Sequence, residues 1–238
     1  MSSEPTNSTA HTERWTATNS AGYAAPAALA VDVVVLTVQD GATRTLVLER
    51  SDGALALPGG FVGDAETPQQ TVIRKLSEKT GLQEVYVEQL ATFAAPGRDP
   101  RGWIPTIAYL ALMPPGIEPT DPAARWINAT DHAALVFDHN EILETALERV
   151  RGKLWWSNVA VGILPGEFTL AEARHVYTAI ADIDYDPGTF ARDIRATGLV
   201  AATGRERHDT GGRPASLYTF TEHHPAWGVG RRKRVSNT

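Results

Sequence analysis

The chain turns on residues 57–82, LPGGFVGDAETPQQTVIRKLSEKTGL. Pro58, Gly59 and Gly60 predict a sharp backbone bend of the kind that glycine tolerates best. Phe61 and Val62 follow, with a turn at Gly63-Asp64. Thr67 then stands where an N-cap belongs and Pro68 at the first helical position, where its missing N–H costs nothing. Val72, Ile73 and Leu76 recur at helical spacing, and Gly81 stops the run. A glycine turn feeding an amphipathic helix is the expectation.

Strand signals surround this helix. Val31–Val38 and Thr45–Glu49 are rich in Val, Leu and Thr and are separated by Gln39-Asp40-Gly41, so they predict paired strands. Val85–Phe93 and Ile104–Met113 predict two more, joined through the loop Ala95–Gly102. After a proline-marked loop comes a short strand around Arg125–Ile127. A second helix begins at Asp138 with the spacing of a capping box to Glu141, and its apolar stripe is Ile142, Leu143, Ala146, Leu147 and Val150. Strands enclosing one helix, followed by a packing helix, fit an α/β/α sandwich within an α+β protein, the fold that the family resemblance described below implies.

Beyond Lys153 the texture changes. Leu154-Trp155-Trp156 is a bulky apolar knot suited to a seam between domains. Thr169 and Glu172 form a capping box opening a helix with the apolar face Leu170, Ala173, Val176, Tyr177 and Ile180. Asp186-Pro187 starts a shorter helix through Ala196, closed by Gly198. Leu199–Ala202 and Ser216–Thr221 read as strands joined by a long tip, Thr203–Pro214. Helix, turn, helix and β-hairpin is the order of a winged helix. The expected division is a disordered tail at 1–27, a first domain at 28–153, a winged helix at 154–225 and a basic tail at 226–238.

The 238 residues suffice for one large or two small domains, and the lack of cysteine excludes disulfides and thiolate metal sites. No signal peptide is legible, and the apolar run near Val31–Val38 is broken by Asp32 and too short to span a bilayer. A cytoplasmic location without a membrane partner is expected. The net charge of −6 argues against a nucleic-acid partner until its distribution is considered. Residues 190–238 carry nine Lys or Arg against four Asp or Glu, a net of +5, leaving −11 on residues 1–189. Arg192 and Arg195 lie three apart and share a face of the second short helix. With Thr189 on that helix and Arg205, Arg207 and Arg213 on the hairpin, they are the candidate DNA-binding residues. A solvated face with a loop of like charge is the plainer alternative. Arg231-Arg232-Lys233-Arg234 forms a terminal basic cluster.

The opening stretch resembles the Nudix box. Gly60, Glu66, Arg74, Leu76, Glu78, Gly81 and Leu82 fall at the pattern's spacing, but Lys75 and Lys79 stand where it has glutamates. In Nudix hydrolases those carboxylates share Mg²⁺, a hard cation that takes oxygen ligands. Lys75, Glu78 and Lys79 together carry +1 where three glutamates would carry −3. Repulsion of an ammonium and a cation is worth about 4 kcal/mol at close range and an effective dielectric of 20. The expectation is therefore no metal site, no catalytic residues and no required cofactor. The lysines fit either phosphate contacts or a solvated helix face.

Both halves together resemble the Nudix-related transcriptional regulators of the NrtR type. The likeness rests on Ala56–Val62, on Arg98-Asp99-Pro100-Arg101-Gly102 before Ala108–Leu112, on Leu164-Pro165 with Glu167–Leu170, and on Gly212–Ala215 with Leu217-Tyr218 and Phe220. It implies a homodimeric bacterial repressor of NAD biosynthesis and salvage genes. The Nudix domain would bind ADP-ribose as effector, which weakens the grip of the winged helices on a palindromic operator in double-stranded DNA. Residues carried over as effector-binding are Arg50, Gly59, Gly60, Phe61, Arg74, Lys75, Glu78, Lys79, Arg98, Asp99 and Arg101. Asp99-Pro100 fits turn chemistry equally well, and Arg74 and Glu78, four apart, fit a mutual ion pair. His139, His175 and His223-His224 show no metal-ligand spacing. Two alternatives stay open: an active Nudix hydrolase of ADP-ribose or a related nucleotide diphosphate, and a sugar-responsive regulator of the same architecture.

Overall fold

The computed structural model describes residues 28–81, 87–131, 134–208 and 214–222. The two expected tails, Leu82, Arg213, His223-His224 and the start of the strand expected at Val85 lie outside the described residues.

Strand β1 (Ala30–Gln39) is the axis of the first sheet. It pairs antiparallel with β2 (Ala42–Glu49) and with β4 (Gly59–Phe61), and parallel with β6 (Thr106–Leu112). Strand β2 also pairs with β3 (Leu55–Ala56) and β7 (Ala124–Asn128), and β6 with β5 (Val87–Phe93). Alternation along β1 divides the core, because successive side chains point to opposite faces of a sheet. Val31, Val33 and Val35 pack with Val72 and Leu76 of α1 (Pro68–Thr80), whereas Val34, Leu36 and Val38 face α2 (His139–Lys153). Both faces are covered, which is why this strand reads as a continuous apolar run.

Helix α1 begins and ends as its sequence predicts. Thr67 and Gln70 form a reciprocal capping box, and Gly81 closes the helix in the left-handed conformation at φ 74°. Two expectations fail nearby. Gly59 and Gly60 form strand β4 instead of a tight bend, pairing with Asp32 and Val31. Glycine is needed at 59 for close approach: a Cβ there would fall 2.4 Å from the Val31 carbonyl oxygen and 2.5 Å from Asp32 Oδ1. The capping box at Asp138 is also absent, since that side chain makes no cap hydrogen bond and pairs with Arg98. The apolar stripe of α2 is buried as expected.

The second sheet has the order β8 (Phe168–Thr169), β10 (Ala215–Phe220), β9 (Val200–Arg207), and it packs with α3 (Leu170–Ala181) and α4 (Pro187–Ala196). Helix, helix and hairpin make the expected winged helix. Strand β9 runs on to Arg207, so Arg205 and Arg207 belong to the strand and not to the tip. Phe190 and Ile194 anchor α4, four apart on its buried face.

One apolar core runs from the first sheet into the winged helix, through Leu36, Leu154, Ile163, Phe168, Tyr177 and Phe190. Trp155 meets Tyr177, Tyr185 and Phe190 at centroid distances of 5.2, 5.5 and 5.6 Å. Polar bonds cross the same seam. The Tyr177 hydroxyl donates to the Leu154 carbonyl at 2.8 Å, and Thr43 Oγ1 to that of Ala179 at 2.9 Å. Trp156 does not join them; it is 56% exposed.

Candidate functional site

A cleft of about 250 Å³ opens where the start of β1, the end of β2 and strand β4 meet the 98–101 loop and the start of α2. Its lining includes Asp32, Arg50, Gly59, Gly60, Phe61, Arg98, Asp99, Arg101, Phe137 and His139. The floor is a buried ionic network. The Arg98 guanidinium, 4% exposed, donates to both carboxylate oxygens of Asp138 at 2.7 and 2.6 Å and to the Ile104 carbonyl at 3.0 Å. It also reaches Asp32 Oδ2 at 3.4 Å. His139 Nδ1 accepts the backbone N–H of Leu57 at 2.9 Å, which leaves the ring proton on Nε2, 3.4 Å from Asp32 Oδ1. Burial pushes the Asp32 carboxyl up, but His139 and Arg98 pull it further down, so its acidity exceeds that of an ordinary carboxylate.

At the mouth, Asp99 is buried and accepts from Arg101 three times: from its backbone N–H at 2.9 Å and from its guanidinium Nε and Nη2 at 2.9 and 2.6 Å. Those hydrogen bonds hold the Asp99 carboxyl below its usual range. The Arg101 guanidinium lies over the rings of Phe61 and Phe137, and Arg50 over Phe137.

The charged residues of α1 lie outside this lining. Arg74 donates to Glu66 at 2.7 Å and to Glu78 at 3.0 Å, on an open helix face shared with Gln70, Ile73 and Ser77. Hydrogen bonds from Arg74 and Thr71 bring the Glu66 carboxyl down to about 2. Lys75 passes under Gly60, and its ammonium pairs with Glu78 at 2.9 Å. Lys79 turns to Asp121. Of the residues expected to bind effector, the structure thus gathers Arg50, Gly59, Gly60, Phe61, Arg98, Asp99 and Arg101, brings the Lys75 stem against Gly60, and leaves Arg74, Glu78 and Lys79 apart.

In the winged helix, Thr189, Arg192 and Arg195 are exposed on α4. Arg192 pairs with its neighbour Asp193 at 2.8 Å, and Arg195 donates to the Tyr218 hydroxyl at 3.0 Å. On β9, Arg205 pairs with Glu167, and Arg207 pairs with Glu172 at 2.7 Å. Glu172 is also the capping-box partner of Thr169, so Arg207 ties the wing to the start of α3.

Sequence reasoning overlooked Asp32, Phe137, Asp138 and His139. Asp32 carried a signal: a carboxylate inside a run of valines is buried and needs a cation. The other three gave none, for their partners are distant in the chain.

A Nudix domain model matches residues 28–154, and a model described as the NrtR DNA-binding winged helix domain matches residues 160–220. The ADPR responsive transcriptional repressor NtrR of Acinetobacter baylyi is 32% identical over 206 residues, 81% of this chain and 81% of its own. The ADP-ribose pyrophosphatase of Methanocaldococcus jannaschii is 32% identical over 124 residues, 49% of this chain and 71% of its own. The crystal structure of Shewanella oneidensis NrtR complexed with a 27mer DNA is 35% identical, with a TM-score of 0.69, and covers 81% of this chain and 93% of that one. With a Nudix sandwich and an NrtR-type winged helix in one chain, and that likeness running across both, the protein belongs to the NrtR family of Nudix-related transcriptional regulators.

Proposed function

We propose that this chain is a homodimeric transcriptional repressor of NAD biosynthesis and salvage genes, that its Nudix cleft binds ADP-ribose without cleaving it, and that binding releases a palindromic operator. One observation carries the reading: Glu78, the one carboxylate left on α1 of the three that a Nudix hydrolase gives to metal, and Glu66 just before the helix are both held by the chain's own cations. Arg74 holds Glu66, and Arg74 and Lys75 hold Glu78. These residues do not fit a hard dication, which needs several free oxygen donors. Lys75 and Lys79 add positive charge where the cation would sit. The cleft keeps what a nucleoside diphosphate sugar needs, namely arginines for the phosphates and a buried aspartate for a hydroxyl. Names of relatives point the same way, one an ADPR-responsive repressor and another an NrtR complexed with DNA.

Coupling follows from the layout. Helix α2 starts at the cleft floor and ends, about 22 Å along, at the aromatic seam with the winged helix. A ligand that rearranges Arg98, Asp138 and His139 moves the start of that rod, and with it the distance between the two recognition helices of a dimer. The test is a DNA-shift titration on the protein's own upstream region at stated salt. A specific complex is expected, weakened by ADP-ribose. Absence of any specific complex removes the repressor reading. Release of AMP from ADP-ribose with Mg²⁺ or Mn²⁺ at enzymatic rates favours the hydrolase instead.

A further inference from the structure

Arg44, half-buried near the start of β2, is the one arginine or lysine among the described residues with neither a hydrogen-bond acceptor nor a carboxylate partner. Every other cation among them has one, as Arg74 has Glu66, Arg98 has Asp138 and Lys153 has Glu88. Thr37, the cross-strand neighbour of Arg44 on β1, is 1% exposed, and its hydroxyl also lacks a partner among the described residues. Two such polar groups side by side call for an explanation, and a ligand site is one.

Arg44 lines a hollow of about 330 Å³ between the β1–β2 turn, β7 and the loop before β7, together with Gln39, Asp40, Glu118, Arg125 and Trp126. Arg50 of the cleft stands six residues further on, about 20 Å along an extended strand, so the two sites are separate. Trp126 gives the hollow a flat wall. Arg44 pairs with Asn128 and Leu46 with Trp126, which puts the guanidinium and the indole on one face of the sheet. The indole is fixed there, because its Nε1 donates to the Ile117 carbonyl at 2.7 Å.

Charge narrows the class of ligand. Arg44 and Arg125 face Asp40 and Glu118 around the hollow, and Arg125 already lies 3.7 Å from Glu49. A phosphate dianion meets two carboxylates at this rim, whereas a single carboxylate needs only the fork of Arg44. The volume is at the small end for ligand pockets, the size of a compound with one or two rings.

We propose that this hollow is a second ligand site, for a planar aromatic monocarboxylate whose carboxylate meets the Arg44 guanidinium and whose ring lies along Trp126. The site owes nothing to the reading of the cleft.

Calorimetry on the full chain with indole-3-carboxylate, its neutral carboxamide, acetate and inorganic phosphate tests the site. Indole-3-carboxylate is expected to bind saturably. The carboxamide is expected to bind about tenfold to hundredfold more weakly, the scale of a lost charged hydrogen bond. Acetate, which has no ring, and phosphate, with its second charge, are expected to bind more weakly too. Arg44→Gln is expected to lose indole-3-carboxylate by the same factor as the carboxamide and to leave ADP-ribose affinity unchanged. Arg101→Ala, in the cleft, is expected to leave indole-3-carboxylate unchanged. The site is overturned if indole-3-carboxylate does not bind, if Arg44→Gln binds it as the parent does, or if Arg101→Ala loses as much as Arg44→Gln. Equal affinity for the carboxamide, acetate or phosphate overturns the planar carboxylate as its ligand, and that comparison needs no variant to fold. Binding of ADP-ribose without indole-3-carboxylate removes this site alone, and the reverse removes the ADP-ribose reading alone.

Discussion

The two ends of α2 are mounted differently. At its start, Asp138 leaves the helix without a side-chain cap and gives both carboxylate oxygens to Arg98, while His139 points its ring at Asp32. At its end, Leu154 is buried and Trp155 packs edge-on against Tyr177 and Phe190. The start is held by directional bonds that line the cleft and that a charged ligand can compete for, whereas the end combines aromatic packing with polar bonds away from the cleft, Tyr177 to Leu154 and Lys153 to Glu88. A helix so mounted is adjustable at the cleft and fixed at the winged helix, which suits an element that couples the two, and such coupling is reciprocal.

Removing the cation at the cleft end is expected to have the largest effect. Arg98→Met leaves Asp32 and Asp138 facing each other in a buried site, and breaking such a cluster costs about 3–5 kcal/mol. The Asp32 carboxyl is held below its ordinary value in the folded protein. Its contribution is therefore fully present above the unfolded carboxylate pKa, about 3.9, and is lost as the pH falls through the lowered folded value. Urea unfolding should show the full deficit of the variant at pH 7 and a shrinking one in acid. A deficit that stays constant down to full carboxylate protonation means that packing, and not the charge of the network, carries it.

The seam end should answer differently. Residues Val159–Gly162 form a 3₁₀ turn laid against β6, and a Cβ on Gly162 would fall 2.7 Å from the Leu112 Cβ. Gly162→Ala is expected to cost about 1–3 kcal/mol by overpacking, with no dependence on pH. Because the clash lies at the seam, operator binding should fall while ADP-ribose affinity in calorimetry is unchanged. An equal loss of both ligands contradicts the division of labour along α2.

The same contrast explains what was legible in the sequence. The winged helix and α1 announce themselves because their signals are local: Thr169 with Glu172 three residues on, Asp186-Pro187 at a helix start, Gly81 at a helix end. The cleft floor is not local. Arg98 lies 40 residues from Asp138 and 66 from Asp32, and no periodicity links such positions. Strands β3, β4 and β8 are two or three residues long, too short to show alternation, so β4 reads as a turn from its glycines. Asp138 and Glu141 have the spacing of a capping box, yet the local rule lost to Arg98, a partner that only the fold supplies. The stretch 95–102 reads as a loop from its prolines and glycines, but only the family resemblance marks it as part of the site, and Asp32 is legible from its charge.

On the DNA side, two arginines that look alike in sequence are expected to behave unlike each other. Arg195 is exposed on α4, and its guanidinium donates to the uncharged Tyr218 hydroxyl and lies over that ring, with no carboxylate among the described residues holding it. Arg207 is held by Glu172 and by the Glu167 carbonyl. Arg195→Ala should reduce the slope of log affinity against log salt by about 1, the loss of one phosphate contact. Arg207→Ala should leave the slope nearly unchanged and lower operator affinity only by loosening the wing. Equal changes in slope from the two variants would mean that Arg207 leaves Glu172 for the backbone of DNA.

Thr169→Ala is the mildest change, and it sharpens the comparison of helix starts. Thr169 caps α3 reciprocally: its hydroxyl accepts the Glu172 N–H at 3.2 Å, while Glu172 accepts the Thr169 N–H at 2.7 Å. Losing such a cap costs about 1 kcal/mol, read as a lower urea midpoint. Asp138 stands at the same place on α2 and makes no such bond, so Asp138→Asn, which preserves cap propensity, isolates the Arg98 contact. If Asp138→Asn is neutral and Thr169→Ala is not, both residues are ordinary caps and the cleft floor owes nothing to its carboxylate. If Asp138→Asn costs more and weakens ADP-ribose as well, the start of α2 has given up its cap to bind the cleft.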